Sequence, residues 1–137
     1  MQNFMSGHKL TKVADHTTAG TTDVESAIID MAGYEGVLFF TSLGTAAADN
    51  LIKVQQDDVN AAGGMADLVG TGVTSGASPS NEDLWVEVYR PQKRYVRAVV
   101  VIDTSSTCES VYAIQYSPRK YPVDNTTSGT IEGEFHA

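Results

Sequence analysis

The fold is decided by residues 83–118, DLWVEVYRPQKRYVRAVVVIDTSSTCESVYAIQYSP, which carry the strongest strand signals of the chain. Leu84, Val86 and Val88 alternate with polar or aromatic residues, which is the period of a strand with one buried face. Pro91 ends this strand because proline cannot donate a ladder hydrogen bond. Further strands are predicted at 94–103 and 110–116, with a polar turn at 104–109. Three neighbouring strands with short connections predict an antiparallel meander.

The remaining sequence continues the same pattern of short apolar runs between tracts of small polar residues. The chain has 137 residues, of which 42% are hydrophobic, and this suits one domain with its own core. Further strands are predicted at 25–30, 37–43, 50–56 and 65–69, and residues 70–81 are predicted to be a surface loop. The pattern predicts a single all-β domain, an antiparallel β-sandwich or a jelly-roll-like barrel.

The two ends of the chain lack the strong periodicity of the predicted domain at 25–123. Residues 1–24 are predicted to be an extended N-terminal arm, or a first edge strand, because threonine favours extended backbone. Residues 124–137 are predicted to be a polar C-terminal tail. Ile131 and Phe135 in the tail either anchor it to a neighbouring subunit or mark a weak edge strand.

The overall charge and the composition exclude several classes of partner. The formal net charge is -8, so a general electrostatic attraction to nucleic acid is not expected. The first residues lack a secretory apolar run, and no stretch approaches the ~20 apolar residues that span a bilayer. We therefore expect no membrane partner and synthesis in a cytoplasm. The single cysteine, Cys108, cannot form an internal disulfide.

No catalytic or metal-binding pattern stands out. The three histidines and Cys108 lack zinc-type spacing, and Asp57, Asp58 and Asn60 lack the ligand alternation of a calcium loop, so a plain turn is the better interpretation. There is no G-x-S-x-G elbow and no phosphate loop. We expect no enzymatic activity, no cofactor and no metal.

The clustered cations are the strongest candidate for a binding surface. Tyrosine accompanies them, and tyrosine and arginine are enriched at interfaces. If the meander forms, these residues meet at one end of the sheet and can bind carboxylates of a protein partner. The alternative is that they neutralise the protein's own acids, such as Glu35, Glu82 and Glu87. The candidate partner-binding residues are Tyr89, Arg90, Lys93, Arg94, Tyr95, Arg97, Arg119 and Lys120.

Three ordered blocks carry a resemblance to a known group of proteins. They are IDMAGYEGV at 29–37, VYRPQKRYVR at 88–97, and AIQY at 113–116 followed by RKYPV at 119–123. Together they resemble small structural proteins from the head-gene region of tailed bacteriophages, in particular capsid decoration or cement proteins. The resemblance covers about residues 25–123, and the block at 88–97 is its most specific part.

The resemblance implies a non-enzymatic virion protein on the capsid surface, made in the host cytoplasm. Its implied partner is the major capsid protein, and it is expected to form a symmetric homo-oligomer, with a trimer favoured by analogy. One alternative is a head–tail connector or tail component of a phage. An alternative from another class is a carbohydrate-binding β-sandwich, in which exposed Trp85 and Tyr89 form a sugar platform.

Overall fold

The computed structural model describes residues 3–123 and residue 125, and it confirms the predicted all-β class. A four-residue helix, α1 (Phe4–Gly7), precedes the first strand, and a single 3-10 turn spans Ala62–Gly64. The strands are β1 (His8–Ala14), β2 (Thr17–Gly20), β3 (Val24–Glu25), β4 (Ile29–Asp30), β5 (Gly36–Ser42), β6 (Leu51–Asp57), β7 (Ala66–Asp67), β8 (Val73–Thr74), β9 (Asp83–Tyr89), β10 (Tyr95–Val101), β11 (Ser106–Cys108) and β12 (Val111–Tyr116).

The strands form two principal antiparallel sheets. The four-stranded sheet has the order β1-β12-β5-β9. The six-stranded sheet has the order β3-β10-β6-β7, with β4 paired to β10 and β8 paired to β6. A small third sheet joins β2 to β11. The two large sheets do not close into a barrel, and they pack as a sandwich around one core.

The core follows from the alternation along each strand. Every second side chain of a strand points to the inner face of its sheet, where burial of apolar area is the main contribution to stability. Both sheets contribute to the same buried cluster, so the sandwich has one continuous core. The principal buried side chains on these faces are Val37, Phe39, Ile52, Val54, Leu84, Val86, Val88, Val96, Ala98, Val100, Val111 and Ala113.

The predicted meander is wrong. β9 pairs with β5, β12 lies between β1 and β5, and β10 belongs to the other sheet. Each of these strands has a strong apolar side, and placing β10 across the core from β9 and β12 lets those sides face one another. Short connections are compatible both with a hairpin and with a crossing between sheets, so the spacing alone did not distinguish them.

Three local predictions also need correction. The strand predicted at 25–30 is two short strands, β3 and β4, which pair with different parts of β10. The loop predicted at 70–81 contains β8. The polar turn predicted at 104–109 contains β11, which pairs with β2, and Cys108 at its end is fully buried.

The predicted arm at 1–24 contributes to the sheets in its described part. β1 is an edge strand that pairs with β12 over its length, and Val13 reaches the core. The predicted tail at 124–137 lies outside the described residues except for Asn125. That side chain is fully buried: its Oδ1 accepts from the Leu10 amide at 2.8 Å, and its Nδ2 donates to the His8 carbonyl at 3.0 Å. It therefore occupies the open edge of β1.

Candidate functional site

Four of the predicted cations surround one depression at an end of the sandwich, which we call the basic end: Arg90, Lys93, Arg94 and Arg119. The first three lie on the β9–β10 connection. The fourth follows β12, which is in a different sheet from β10. The side chains meet although the meander that was expected to bring them together does not exist.

A turn between β4 and β5 makes this convergence possible. The amide of Arg119 donates to the carbonyl of Gly33 at 2.8 Å, and the amide of Arg90 donates to the carbonyl of Glu35 at 2.7 Å. Gly33 has a φ of +87°, a left-handed backbone conformation that glycine adopts without steric cost. The turn thus holds the chain after β9 and the chain after β12 side by side.

Most of the charge at the basic end is matched by the protein's own acids. The Arg94 guanidinium binds both oxygens of Asp30, at 2.9 and 2.8 Å, and these bonds hold the pKa of Asp30 below its ordinary value. Arg90 reaches Glu35 at 3.4 Å, and the nearest acid to Lys93 is Asp58, at 3.2 Å. Of the acids that we expected to neutralise this cluster, Glu35 alone pairs with one of its cations among the described residues.

Two cations keep their charge available. Within residues 3–123 and at residue 125, neither Arg119 nor Lys120 has an ion pair, and both are exposed. The predicted tyrosines flank the paired arginines. Arg90 lies 5.1 Å from the ring centroid of Tyr89, and Arg94 lies 5.1 Å from that of Tyr95. The open charge of the basic end is therefore concentrated after β12.

Arg97 does not belong to the basic end. Its side chain lies on the outer face of the six-stranded sheet and is only 6% exposed. It donates to both carboxylate oxygens of Glu25, at 2.9 and 3.1 Å, and to Gln55 at 2.8 Å. Its Nε, Nη1 and Nη2 atoms are each already bonded within the sheet, so the structure places Arg97 in the sheet and not at the basic end.

A second surface was predicted from the sequence only at Trp85 and Tyr89, as a possible sugar platform. The outer side of the four-stranded sheet carries rings and aliphatic side chains in register across its strands, and we call it the aromatic face. Trp85 pairs with Phe40, which pairs with Tyr112 and stacks on it with the ring centroids 5.5 Å apart. In the next row, Leu38 pairs with Ile114, which pairs with Leu10. Trp85 is 67% exposed and Tyr89, on the same side of β9, is 57% exposed.

The outer face of the other large sheet is different in kind. There Lys53 binds Asp67 at 2.8 Å, and Gln55 bonds to the same carboxylate at 2.8 Å. Together with the Arg97 cluster, these contacts leave a polar surface whose groups are satisfied within the sheet. A sandwich normally turns its polar residues outward, so the aromatic face is the exception that needs a functional explanation.

The groups with potential for metal binding or nucleophilic chemistry are dispersed. Among the described residues, no three His, Cys, Asp or Glu side chains cluster as a metal site. Burial raises the pKa of the Cys108 thiol, whose sulfur lies 3.6 Å from the Thr41 hydroxyl. His16 pairs with Glu109 at 3.0 Å on the surface. Over the described range, no helix has the length and apolar character to cross a bilayer.

Comparisons with known proteins show a likeness of fold. No family model matches the chain, and no curated protein matches it. A protein of Bacillus endospore appendages, described as a novel family of disulfide-linked pili, aligns with a TM-score of 0.51 and 13% identity, over 86% of this chain and 95% of that chain. The SPBc2 prophage-derived protein YomS aligns with a TM-score of 0.48 and 13% identity, over 85% and 100% of the two chains. PirA aligns with a TM-score of 0.37 and 17% identity, over 85% and 97%.

Proposed function

We propose that this protein is a non-enzymatic structural protein of a virion, and that it binds and stabilises the capsid shell. The observation that carries the proposal is the basic end, where Arg119, followed in the chain by Lys120, stands beside arginines already held in place by acids and tyrosines. Neither Arg119 nor Lys120 has an ion pair within the described part of the chain. The paired arginines are held in place before binding, so ordering their side chains costs little further entropy when carboxylates of a partner dock beside them.

Two further observations support a structural role. The β9–β10 connection, which supplies three of the four cations of the basic end, lies in the block at 88–97, on which the resemblance to phage head proteins depends most. The similar protein of Bacillus endospore appendages supports a structural role, because a fold of this kind there belongs to a family of pili. Adding a protein that binds only the assembled shell stabilises that shell by mass action. The partner in this proposal is the major capsid protein, and the protein acts on the capsid surface as a symmetric homo-oligomer, in which a trimer matches a local threefold axis.

The test is binding of the purified protein to expanded capsids that lack it, measured by co-sedimentation and by electron microscopy. We expect saturable binding of the wild-type protein. The double variant Arg119→Glu and Lys120→Glu should weaken binding about tenfold or more, because each reversal places like charges across the interface. Lys53→Glu is the control, since it also reverses a charge but lies on the polar face of the other sheet. Absence of binding to capsids, together with co-purification with connectors or tails, would favour the head–tail alternative.

A carbohydrate-binding role is a second candidate, and the exposure of Trp85 and Tyr89 favours it. Both rings lie on the outer side of β9, as a sugar platform requires. This candidate predicts binding on a glycan array that is lost in Trp85→Ala and kept in the Arg119 and Lys120 double variant. No glycan binding at millimolar concentrations would remove it.

A further inference from the structure

We propose that copies of this chain pack their aromatic faces together around a symmetry axis that runs parallel to the strands, with the β1 edge of one copy against the β9 edge of the next. This deepens the proposed function, because it rests on the oligomer named there and assigns the contact between its copies. Its test uses no capsids, so failure of capsid binding and failure of this contact are separate results.

The aromatic face is large for a surface left in water. Four strands of up to seven residues, spaced ~4.8 Å apart with a rise of ~3.4 Å per residue, cover roughly 19 by 24 Å. Monomeric proteins rarely expose contiguous apolar patches of more than a few hundred Å². Its central rows are apolar on three adjacent strands, and Phe4 adds a further ring stacked on His8 at 3.9 Å. A face of this area is large enough to form part of an interface between two protein chains.

The charges at the two edges of this face show what would cover it. Asp83 and Glu87 project from β9 at one edge, while Lys12 projects from β1 at the other. Rotation about an axis parallel to the strands keeps each residue at its height and brings the β1 edge of one copy to the β9 edge of another. Lys12 then stands over Trp85 between the two acids, within the reach of a lysine side chain.

A second copy satisfies all of these features at once. The apolar rows meet apolar rows, and each basic edge meets an acidic edge, so no other charge has to be supplied. In the single chain these groups have local partners at the surface: Lys12 pairs with exposed Asp15 at 2.7 Å, Glu87 accepts from the Tyr116 hydroxyl, and Asp83 accepts from the Ser42 hydroxyl at 2.5 Å. These contacts can be exchanged for contacts across an interface without leaving a buried charge unpaired.

The experiment is a charge exchange, measured on the full chain by light scattering and sedimentation at about 1–100 µM protein. We expect wild-type particles of two or three copies. Lys12→Glu and Glu87→Lys should each raise the dissociation constant at least tenfold, and the double variant Lys12→Glu with Glu87→Lys should restore most of the wild-type association. Lys53→Glu, on the polar face, should leave the mass unchanged, and a urea transition for every variant checks folding.

Several outcomes overturn the inference. A wild-type protein that is monomeric at every concentration contradicts it, as does an oligomer whose mass neither single reversal alters, or a double variant that stays dissociated. Trp85→Ser provides a second measurement if a charge variant fails to fold, because that side chain is already exposed in the single chain. Retention of the oligomer in Trp85→Ser would also refute the contact, and glycan binding by a monomer would assign the face to sugar instead.

Discussion

Replacing Gly36 by alanine should destabilise the protein through one identifiable collision. Gly36 on β5 and Tyr116 on β12 are cross-strand partners, and the Tyr116 ring lies directly over the glycine while its hydroxyl bonds to Glu87. A β-carbon at position 36 would overlap the ring. It would lie 2.6 Å from Cε1, and two other atoms of the tyrosine side chain would be closer still. The ring must therefore move, and it loses both its packing and its bond to Glu87.

The expected magnitude is the difference of two effects. Forcing a side chain out of a packed position costs about 1–3 kcal/mol, whereas alanine in a strand is better than glycine by about 0.5–1 kcal/mol. The free energy of unfolding should therefore fall by about 1–2 kcal/mol, or roughly 3–4 °C in Tm for each kcal/mol in a domain of this size. Burial, followed by the bond to Glu87, raises the pKa of Tyr116, so the ring stays neutral in a neutral buffer.

The assay is a double-mutant cycle in urea with Tyr116→Ala. Without the ring, Gly36→Ala should become neutral or stabilising by about 0.5 kcal/mol, because only the preference of the strand for alanine remains. Gly33→Ala is the control. Its added carbon meets no atom within 4 Å, but its φ of +87° makes alanine strained in both backgrounds. An equal loss of stability for Gly36→Ala in both backgrounds would refute the collision with Tyr116.

Three further changes test other contacts. The pKa of Asp30 is lowered chiefly by its partner Arg94. The stability that this pair contributes is therefore present above about pH 4 and is lost as the pH falls through the lowered pKa. Asp30→Asn should flatten the acid limb of a plot of unfolding free energy against pH. Glu25→Ala leaves the buried Arg97 guanidinium without its carboxylate and should cost about 1–3 kcal/mol in a urea titration, while Arg97→Met, which removes the charge, should cost less. Asn125→Ala should cost about 1–2 kcal/mol and speed exchange of the β1 amide that it caps, and unchanged exchange would contradict the cap.

The strands were largely predictable because each one shows, within its own sequence, an alternation of apolar and polar residues. Leu84, Val86 and Val88 are buried, and Trp85 and Tyr89 are exposed, as the period of two requires. Pairing was not predictable in the same way, because it depends on contacts between distant segments. The Arg97–Glu25 pair spans 72 positions, so nothing near Arg97 in the sequence shows that this cation is occupied while its neighbours in the β9–β10 turn are exposed.

The part of the aromatic face beyond Trp85 and Tyr89 was not predicted, for a related reason. The run at 37–43 is apolar on both sides, which normally indicates a strand covered on both faces. In the structure, Val37 and Phe39 face the core, but Leu38 and Phe40 face outward. An apolar side chain predicts that its position is buried, but it does not predict whether the same chain or another one buries it. A strand that is apolar on both sides in a two-layer protein therefore marks an outer surface that something covers, and for Val99 on β10 the chain itself supplies the cover.

The two proposed surfaces constrain each other through symmetry. The basic end is formed where β5 and β10 begin and where β9 and β12 end, so it lies at one end of the strands. An axis parallel to the strands would carry every copy's basic end to the same pole of the oligomer, where all could contact one flat shell and their affinities would combine. An axis perpendicular to the strands would send alternate basic ends to opposite poles, and half of them would face away from the shell. Capsid binding through Arg119 and Lys120, if the test above finds it, would thus favour the arrangement in which β1 meets β9, the same arrangement that the edge charges favour independently.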